Sequence, residues 1–322
     1  MTLTIQEKLN KWGRSKTPLV FLIDFECQHP KCWSLLDPIE EFKFNFQGFS
    51  NFEKRELLPL TLNRNPISNK RPMSFKQYEK MFNYVMNEME YGNSFLVNLT
   101  ATTKIDCALS IEDIAYHSTS KYTCYLKNEF VSFSPESFIQ IKDGIIFSYP
   151  MKGTIDANLP GAKNILLSDQ KEIAEHATIV DLIRNDLSSV SEKVRVNKYR
   201  YYEEIKTQNG FIGQVSSEIS GILPSDYANS IGDLIFKLLP AGSVSGAPKQ
   251  KTKEIIFEAE KQARGYYTGI AGYFDGTNLD SCVLIRYLQA DFVYKSGGGI
   301  TAQSNAEMEY QEMINKIYAP SF

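Results

Sequence analysis

Between Ser74 and Met89 the apolar side chains Phe75, Tyr78, Met81, Phe82, Val85, Met86 and Met89 recur at spacings of three and four, and at Ser94 that period stops. Such spacing lays one apolar stripe along a helix. The stretches that follow, residues 94–105 (SFLVNLTATTKI), 122–126 (YTCYL) and 144–150 (GIIFSYP), are rich in β-branched and aromatic residues and are separated by polar turns. That is strand composition. A chain that changes period in this way is neither a helical bundle nor an all-β barrel; pattern alone predicts a mixed α/β or α+β body with several antiparallel strands.

The rest of the chain repeats the change. Residues 17–26 (TPLVFLIDFE) read as a buried strand, and residues 57–72, with their prolines and asparagines, read as irregular. Over residues 168–187 the helical period returns, with Asp169 and Glu172 spaced as a capping box and Ile173, Ala177, Val180 and either Ile183 or Ile179 predicted to face a core. Residues 195–205 and 215–223 read as strands, and residues 251–265 as a helix ending at Gly265. Residues 265–276 and 279–294 suggest two strands joined by a Gly/Asn/Asp turn, and residues 296–318 pass from three glycines into a terminal helix.

Charge narrows the partners. The 322 residues carry 35 Lys plus Arg against 38 Asp plus Glu, a net −3, so there is no cationic footprint for a nucleic-acid backbone. No window approaches the roughly 20 apolar residues that span a bilayer, and the N-terminus lacks a signal-peptide pattern. Five cysteines without a CxxC pair fit reduced thiols. The expectation is a soluble cytoplasmic protein with no nucleic-acid and no membrane partner.

Several groups of residues can carry chemistry. Glu172/Glu175 and Glu309/Glu312 are i,i+3 pairs, each placing two carboxylates on one helical face; each is surface decoration or half of a site for a hard divalent cation. Gly242, Ser243, Ser245 and Gly246 precede a helical segment, where hydroxyls and backbone N–H groups bind an anion or merely form a turn. Gly297, Gly298 and Gly299 fit close approach to a ligand or a tight bend. Lys152 follows an apolar strand; a lysine there is a solvated charge, or a nucleophile if desolvation outweighs neighbouring acids. His29, His117 and His176 are dispersed, which disfavours a multi-histidine metal site, and His176, beside Glu175, is a supporting residue or a core histidine.

Taken in order, SPESF (134–138), PMKGT (150–154), EIAEHATIVDLIRNDL (172–187), PAGSVSGAPK (240–249), RGYYTGIAGY (264–273), IR (285–286), GGG (297–299) and SNAEMEYQEMINK (304–316) resemble the motif series of the chorismate-utilising enzymes. The resemblance covers roughly the last 190 residues. Lys between Pro-Met and Gly-Thr is similar to the aminodeoxychorismate synthase component I branch, also called the para-aminobenzoate synthase large subunit, whereas anthranilate synthases usually carry Ala there. The resemblance implies an α+β fold like anthranilate synthase component I, a large α/β sandwich of mostly antiparallel sheets flanked by helices. It also implies one interwoven catalytic domain over residues 1–322, with a shortened portion at 1–130 and the motif-bearing core at 131–322.

By the same resemblance, chorismate is aminated at C4 with ammonia to 4-amino-4-deoxychorismate, a para-aminobenzoate and folate precursor, without loss of pyruvate. Lys152 is the implied nucleophile and Glu136 the general acid. Mg²⁺ is the implied cofactor, with Glu172, Glu175, Glu309 and Glu312 as its ligands, and Thr154, Ser243, Tyr267, Arg286, Gly297, Gly298 and Gly299 as substrate contacts. His176 and Gln214 are expected to support the site; Gln214 stands where many relatives have His, a departure in keeping with an enzyme that stops before elimination. The tryptophan-site motif of feedback-regulated relatives is missing, and no glutaminase is fused, so ammonia is expected from a separate glutamine amidotransferase subunit. The rival readings are anthranilate synthase component I, isochorismate or salicylate synthase, and a noncatalytic chorismate-binding protein.

Overall fold

The computed structural model describes residues 3–53, 66–207 and 210–319. The chain folds as two compact units, each assembled from three segments. The first takes the chain up to Val20, Ser137–Ser243 and Gly272–Ser281; the second takes Phe21–Glu136, Val244–Ala271 and Cys282 onward. Both combine antiparallel sheet with helices, so the α+β class holds. The expected 1–130 and 131–322 portions are divisions of motif content; the chain itself leaves one unit and re-enters it.

In the first unit the strands run in the order Met151–Asp156, Gly210–Ile222, Ile145–Ser148, Ser137–Lys142 and Leu279–Val283, and Glu192–Thr207 pairs with Gly210–Ile222 as a long hairpin. Helix Gln170–Ser188 lies against this sheet, started by Asp169, whose carboxylate accepts the Glu172 N–H at 3.0 Å. Its buried stripe is Glu175, His176, Ile179, Val180, Ile183 and Leu187. Ala177, expected inside, is exposed and Ile173 is half-buried, because the stripe is rotated to admit an acid and a histidine. Apolar periodicity alone does not anticipate polar groups on the packed face.

In the second unit the order is Gly246–Ala247, Leu96–Cys107, Val293–Ile300, Tyr287–Gln289, Phe130–Ser134, Tyr122–Leu126, Phe42–Phe46 and Phe49–Ser50. Helices Phe75–Glu90, Lys249–Glu260 and Ala306–Asn315 cover part of this sheet through a core that includes Tyr78, Phe82, Val85, Val97, Leu99, Ile255, Ile256, Ile300 and Met313. Ile111–His117 packs in a separate cluster with Ile105, Val131 and Leu288.

Some sequence expectations need correction. Residues 67–72, read as irregular, form the strand Ile67–Pro72 paired with Leu96–Cys107; residues 57–65 lie outside the described residues. The helix expected to run to Gly265 ends at Glu260, because Lys261 turns left-handed at φ 54°. The three glycines are not a passage into the terminal helix: they are central residues of Val293–Ile300, opposite Thr100, Leu99 and Asn98. Gly297 must be glycine, since a Cβ there would sit 2.3 Å from the Leu99 carbonyl oxygen. Residues 279–294 do not form one strand: Leu279–Val283 and Tyr287–Gln289 are separated by a corner at which Arg286 takes φ 53°.

Candidate functional site

Lys152 stands in the strand Met151–Asp156 opposite Val215, and its Nζ lies 3.8 Å from Glu175 Oε2. Both side chains are largely shielded, at 19% and 10% exposure, so the pair is held in place by its surroundings. Gly153, at φ 77°, makes an irregularity in the ladder between Lys152 and Thr154. A Cβ on it would meet Glu172 Oε2 at 2.9 Å. The bare backbone therefore lets the second carboxylate of the acidic helix come down beside the lysine strand.

His176, 1% exposed, is bonded through Nε2 to Ser217 Oγ at 2.7 Å, and Ser217 Oγ also accepts the Arg200 N–H at 2.9 Å. Its Nδ1 is buried with no hydrogen-bond partner among the described residues. Burial, then the positive charges of Arg200 and Lys152, pull its pKa down from 6.5 to about 4. The imidazole is thus neutral at physiological pH.

Gln214 is held elsewhere. Alternation along Gly210–Ile222 puts Gln214 and Ser216 on one face and Val215 and Ser217 on the other. The Gln214 amide donates to Glu203 Oε1 at 2.6 Å, and Ser216 Oγ donates to the same oxygen at 2.8 Å. Thr154, exposed, is Gln214's cross-strand neighbour. The structure therefore joins Lys152, Glu172, Glu175 and His176 in one group and Thr154 with Gln214 in another. Ser243, half-buried, ends its segment in the short helix Gly242–Ser245.

The second unit has an acidic helix of its own. Asn305 caps Ala306–Asn315 by accepting the Glu307 and Met308 N–H groups, and Ser304 Oγ donates to Glu309 Oε1 at 2.7 Å. Glu309 is buried and Glu312 exposed, with Lys316 Nζ 2.7 Å from Glu312 Oε1 and donating to the Gly297 carbonyl at 2.9 Å. A Cβ on Gly298 would meet Glu309 Oε2 at 3.3 Å and Glu312 Oε1 at 3.6 Å. Here too a bare glycine leaves room in front of two carboxylates, while Gly297 and Gly299 serve the strand pairing.

Glu136, half-buried between Phe130–Ser134 and Ser137–Lys142, accepts the Val283 N–H on its carbonyl, and its own N–H donates to Ser134 Oγ at 3.1 Å. Tyr267 is buried, and burial drives its phenol well above the usual range; Arg264 lowers it, Glu260 raises it, and Arg286 and Glu136 act on it more weakly with opposite signs. Glu136, Tyr267 and Arg286 therefore share one electrostatic neighbourhood. Arg286 Nε donates to Tyr318 Oη at 2.7 Å.

Each acidic pair offers oxygen ligands with space beside a glycine, which is the donor chemistry of a hard divalent cation. Within neither unit do three or more His, Cys, Asp or Glu side chains among the described residues form a complete metal cage. Each pair, taken by itself, has oxygen donors of the type such a cation takes. Sequence reasoning missed Arg200, Ser217, Glu203, Ser304 and Tyr318. Lys316, also missed, carried a local signal, its i,i+4 spacing from Glu312.

A sequence profile described as chorismate binding enzyme matches residues 24–321. The chain is 50% identical over 321 residues to an uncharacterised PabA-like protein of Haemophilus influenzae, covering 98% of this chain and 95% of that one. It is 31% identical over 264 residues to the aminodeoxychorismate synthase component 1 of Klebsiella aerogenes, covering 76% of this chain but 57% of that relative's length. The crystal structure of anthranilate synthase component I from Streptococcus pneumoniae superposes with a TM-score of 0.66 at 29% identity, covering 78% of this chain and 59% of that one.

Proposed function

We propose that this chain, which belongs to the chorismate binding enzyme family, aminates chorismate at C4 with ammonia to give 4-amino-4-deoxychorismate and retains the enolpyruvyl group. The observation that carries the reading is Lys152 beside Glu175, at the position where the family's anthranilate-forming members usually have Ala. In this mechanism the Lys152 Nζ–C2 bond forms as both conjugated ring double bonds shift and the C4–O bond breaks. Glu136 supplies the proton with which the hydroxyl leaves as water. Ammonia then forms the C4–N bond, both ring double bonds shift back and the C2–Nζ bond breaks, restoring the lysine. Two allylic displacements replace one difficult substitution.

Arg286, with its planar fork, is assigned to a substrate carboxylate, and Thr154, Ser243, Tyr267 and Gly297–Gly299 to the remaining oxygens. Glu172 with Glu175, and Glu309 with Glu312, are assigned to Mg²⁺, which when bound screens the ring carboxylate. His176 holds the helix turn that carries Glu175, and Gln214, tied to Glu203, takes the place of a histidine that in relatives would favour elimination. Chorismate and ammonia are the small-molecule partners, and a separate glutamine amidotransferase in the cytoplasm is the proposed ammonia source. Supporting the reading are the aminodeoxychorismate synthase relative and the lysine itself.

Anthranilate formation is the second reading, favoured by the likeness to anthranilate synthase component I. The lysine step is tested by incubating the protein with chorismate and Mg²⁺ without ammonium and mapping adduct mass onto peptides. An adduct at Lys152, with Lys152→Ala slowed by at least roughly 100-fold, is expected. Full amination activity in Lys152→Ala contradicts it.

A further inference from the structure

Arg286 sits at the corner between Leu279–Val283 and Tyr287–Gln289, and its guanidinium is fixed in two ways by one residue. Its carbon lies 5.1 Å from the centroid of the Tyr318 ring, and its Nε donates to Tyr318 Oη at 2.7 Å. The ring lies within cation–π range of the guanidinium, and the Nε bond ties the edge of the fork to the hydroxyl. Neither Nη nitrogen has a hydrogen-bond partner among the described residues, and neither is a buried orphan. A carboxylate can meet an arginine side-on, through Nε and one Nη, or end-on, through both Nη atoms. Tyr318 occupies the first approach and leaves the second.

Tyr318 is itself held. Its carbonyl accepts the hydroxyl of the fully buried Tyr294 at 3.2 Å, and its ring packs against Phe133 at 6.3 Å. The Arg286 backbone is tied as well, its carbonyl accepting the Phe133 N–H at 3.2 Å. Phe133 therefore braces both the arginine's backbone and the aromatic plate over its head.

We infer that Tyr318 is a positioning residue for carboxylate recognition: it reserves Nε of Arg286 and presents the two Nη atoms as an end-on fork to one carboxylate of the substrate. This rests on the chorismate reading above, but it concerns binding rather than product. Tyr318→Phe keeps the plate and deletes the acceptor of Nε. The guanidinium is then free to rotate, and fewer of its orientations present both Nη atoms.

The test is equilibrium binding of chorismate in the presence of Mg²⁺ and the absence of ammonium, for wild type, Tyr318→Phe, Arg286→Lys and the double variant. Loss of a hydrogen bond to a charged group predicts roughly tenfold weaker binding in Tyr318→Phe, and in separate turnover assays with ammonium kcat should change far less than KM. In the Arg286→Lys background the same substitution should cost nothing, since a lysine has no Nε to hold. Unchanged affinity in Tyr318→Phe, or an equal loss in both backgrounds, overturns the inference while leaving the amination reading intact. If wild type binds no chorismate, both fall. Wild-type binding with anthranilate as product leaves the inference standing and removes only the amination reading.

Discussion

His176 shows how a single buried group couples this site to stability. It faces Lys152 from the neighbouring strand, Arg200 and Tyr199 from the hairpin and Ser217 from its partner strand, with Glu175 preceding it on its own helix. Its folded pKa of about 4 lies below the ordinary 6.5, so between these values the unfolded chain binds the extra proton. The stabilisation is therefore complete above about pH 6.5 and is lost as pH falls towards 4, by at most about 3 kcal/mol. Thermal unfolding in EDTA across pH 4–7 should show a steep acid loss that His176→Gln flattens; parallel curves would contradict this. Tyr78 makes a second prediction. Its hydroxyl is fully buried with no hydrogen-bond partner among the described residues, and such a group costs about 1–3 kcal/mol. Tyr78→Phe should raise the unfolding temperature, and a fall would show that the hydroxyl contributes to the fold.

At the scale of elements, what the sequence disclosed and what it hid have separate physical causes. Helix Phe75–Glu90 and strand Tyr122–Leu126 were legible because apolar spacing reports burial directly. The acidic faces were legible as i,i+3 pairs, though only the fold lays Gly153 before Glu172 and Gly298 before Glu309. Three-dimensional neighbours such as Ser217 for His176, or Tyr318 for Arg286, lie 41 and 32 residues away and leave no local pattern. The corner at Arg286 was hidden because a left-handed arginine has no compositional mark. Gly298→Ala, which pushes a methyl group towards Glu309 and Glu312, should weaken Mn²⁺ binding measured by electron paramagnetic resonance by roughly 10-fold or more. Equal affinity in the variant would remove that acidic pair from the cation's ligands.

For the whole molecule, one sequence builds two units, each from three separated segments, and each unit carries an acidic helix, a lysine salt-bridged to it and a glycine that clears the space before it. Lys152 and Glu175 belong to the first; Glu136, Arg286, Glu309 and Glu312 belong to the second. Without the tryptophan-site motif, tryptophan at micromolar concentration should leave activity and melting temperature unchanged, and a saturable shift in either would contradict that. The central claim is tested most directly by product mass. Purified protein given chorismate, Mg²⁺ and ammonium should yield 4-amino-4-deoxychorismate with its enolpyruvyl group retained; anthranilate, or a water-derived isochorismate or salicylate, would contradict the account.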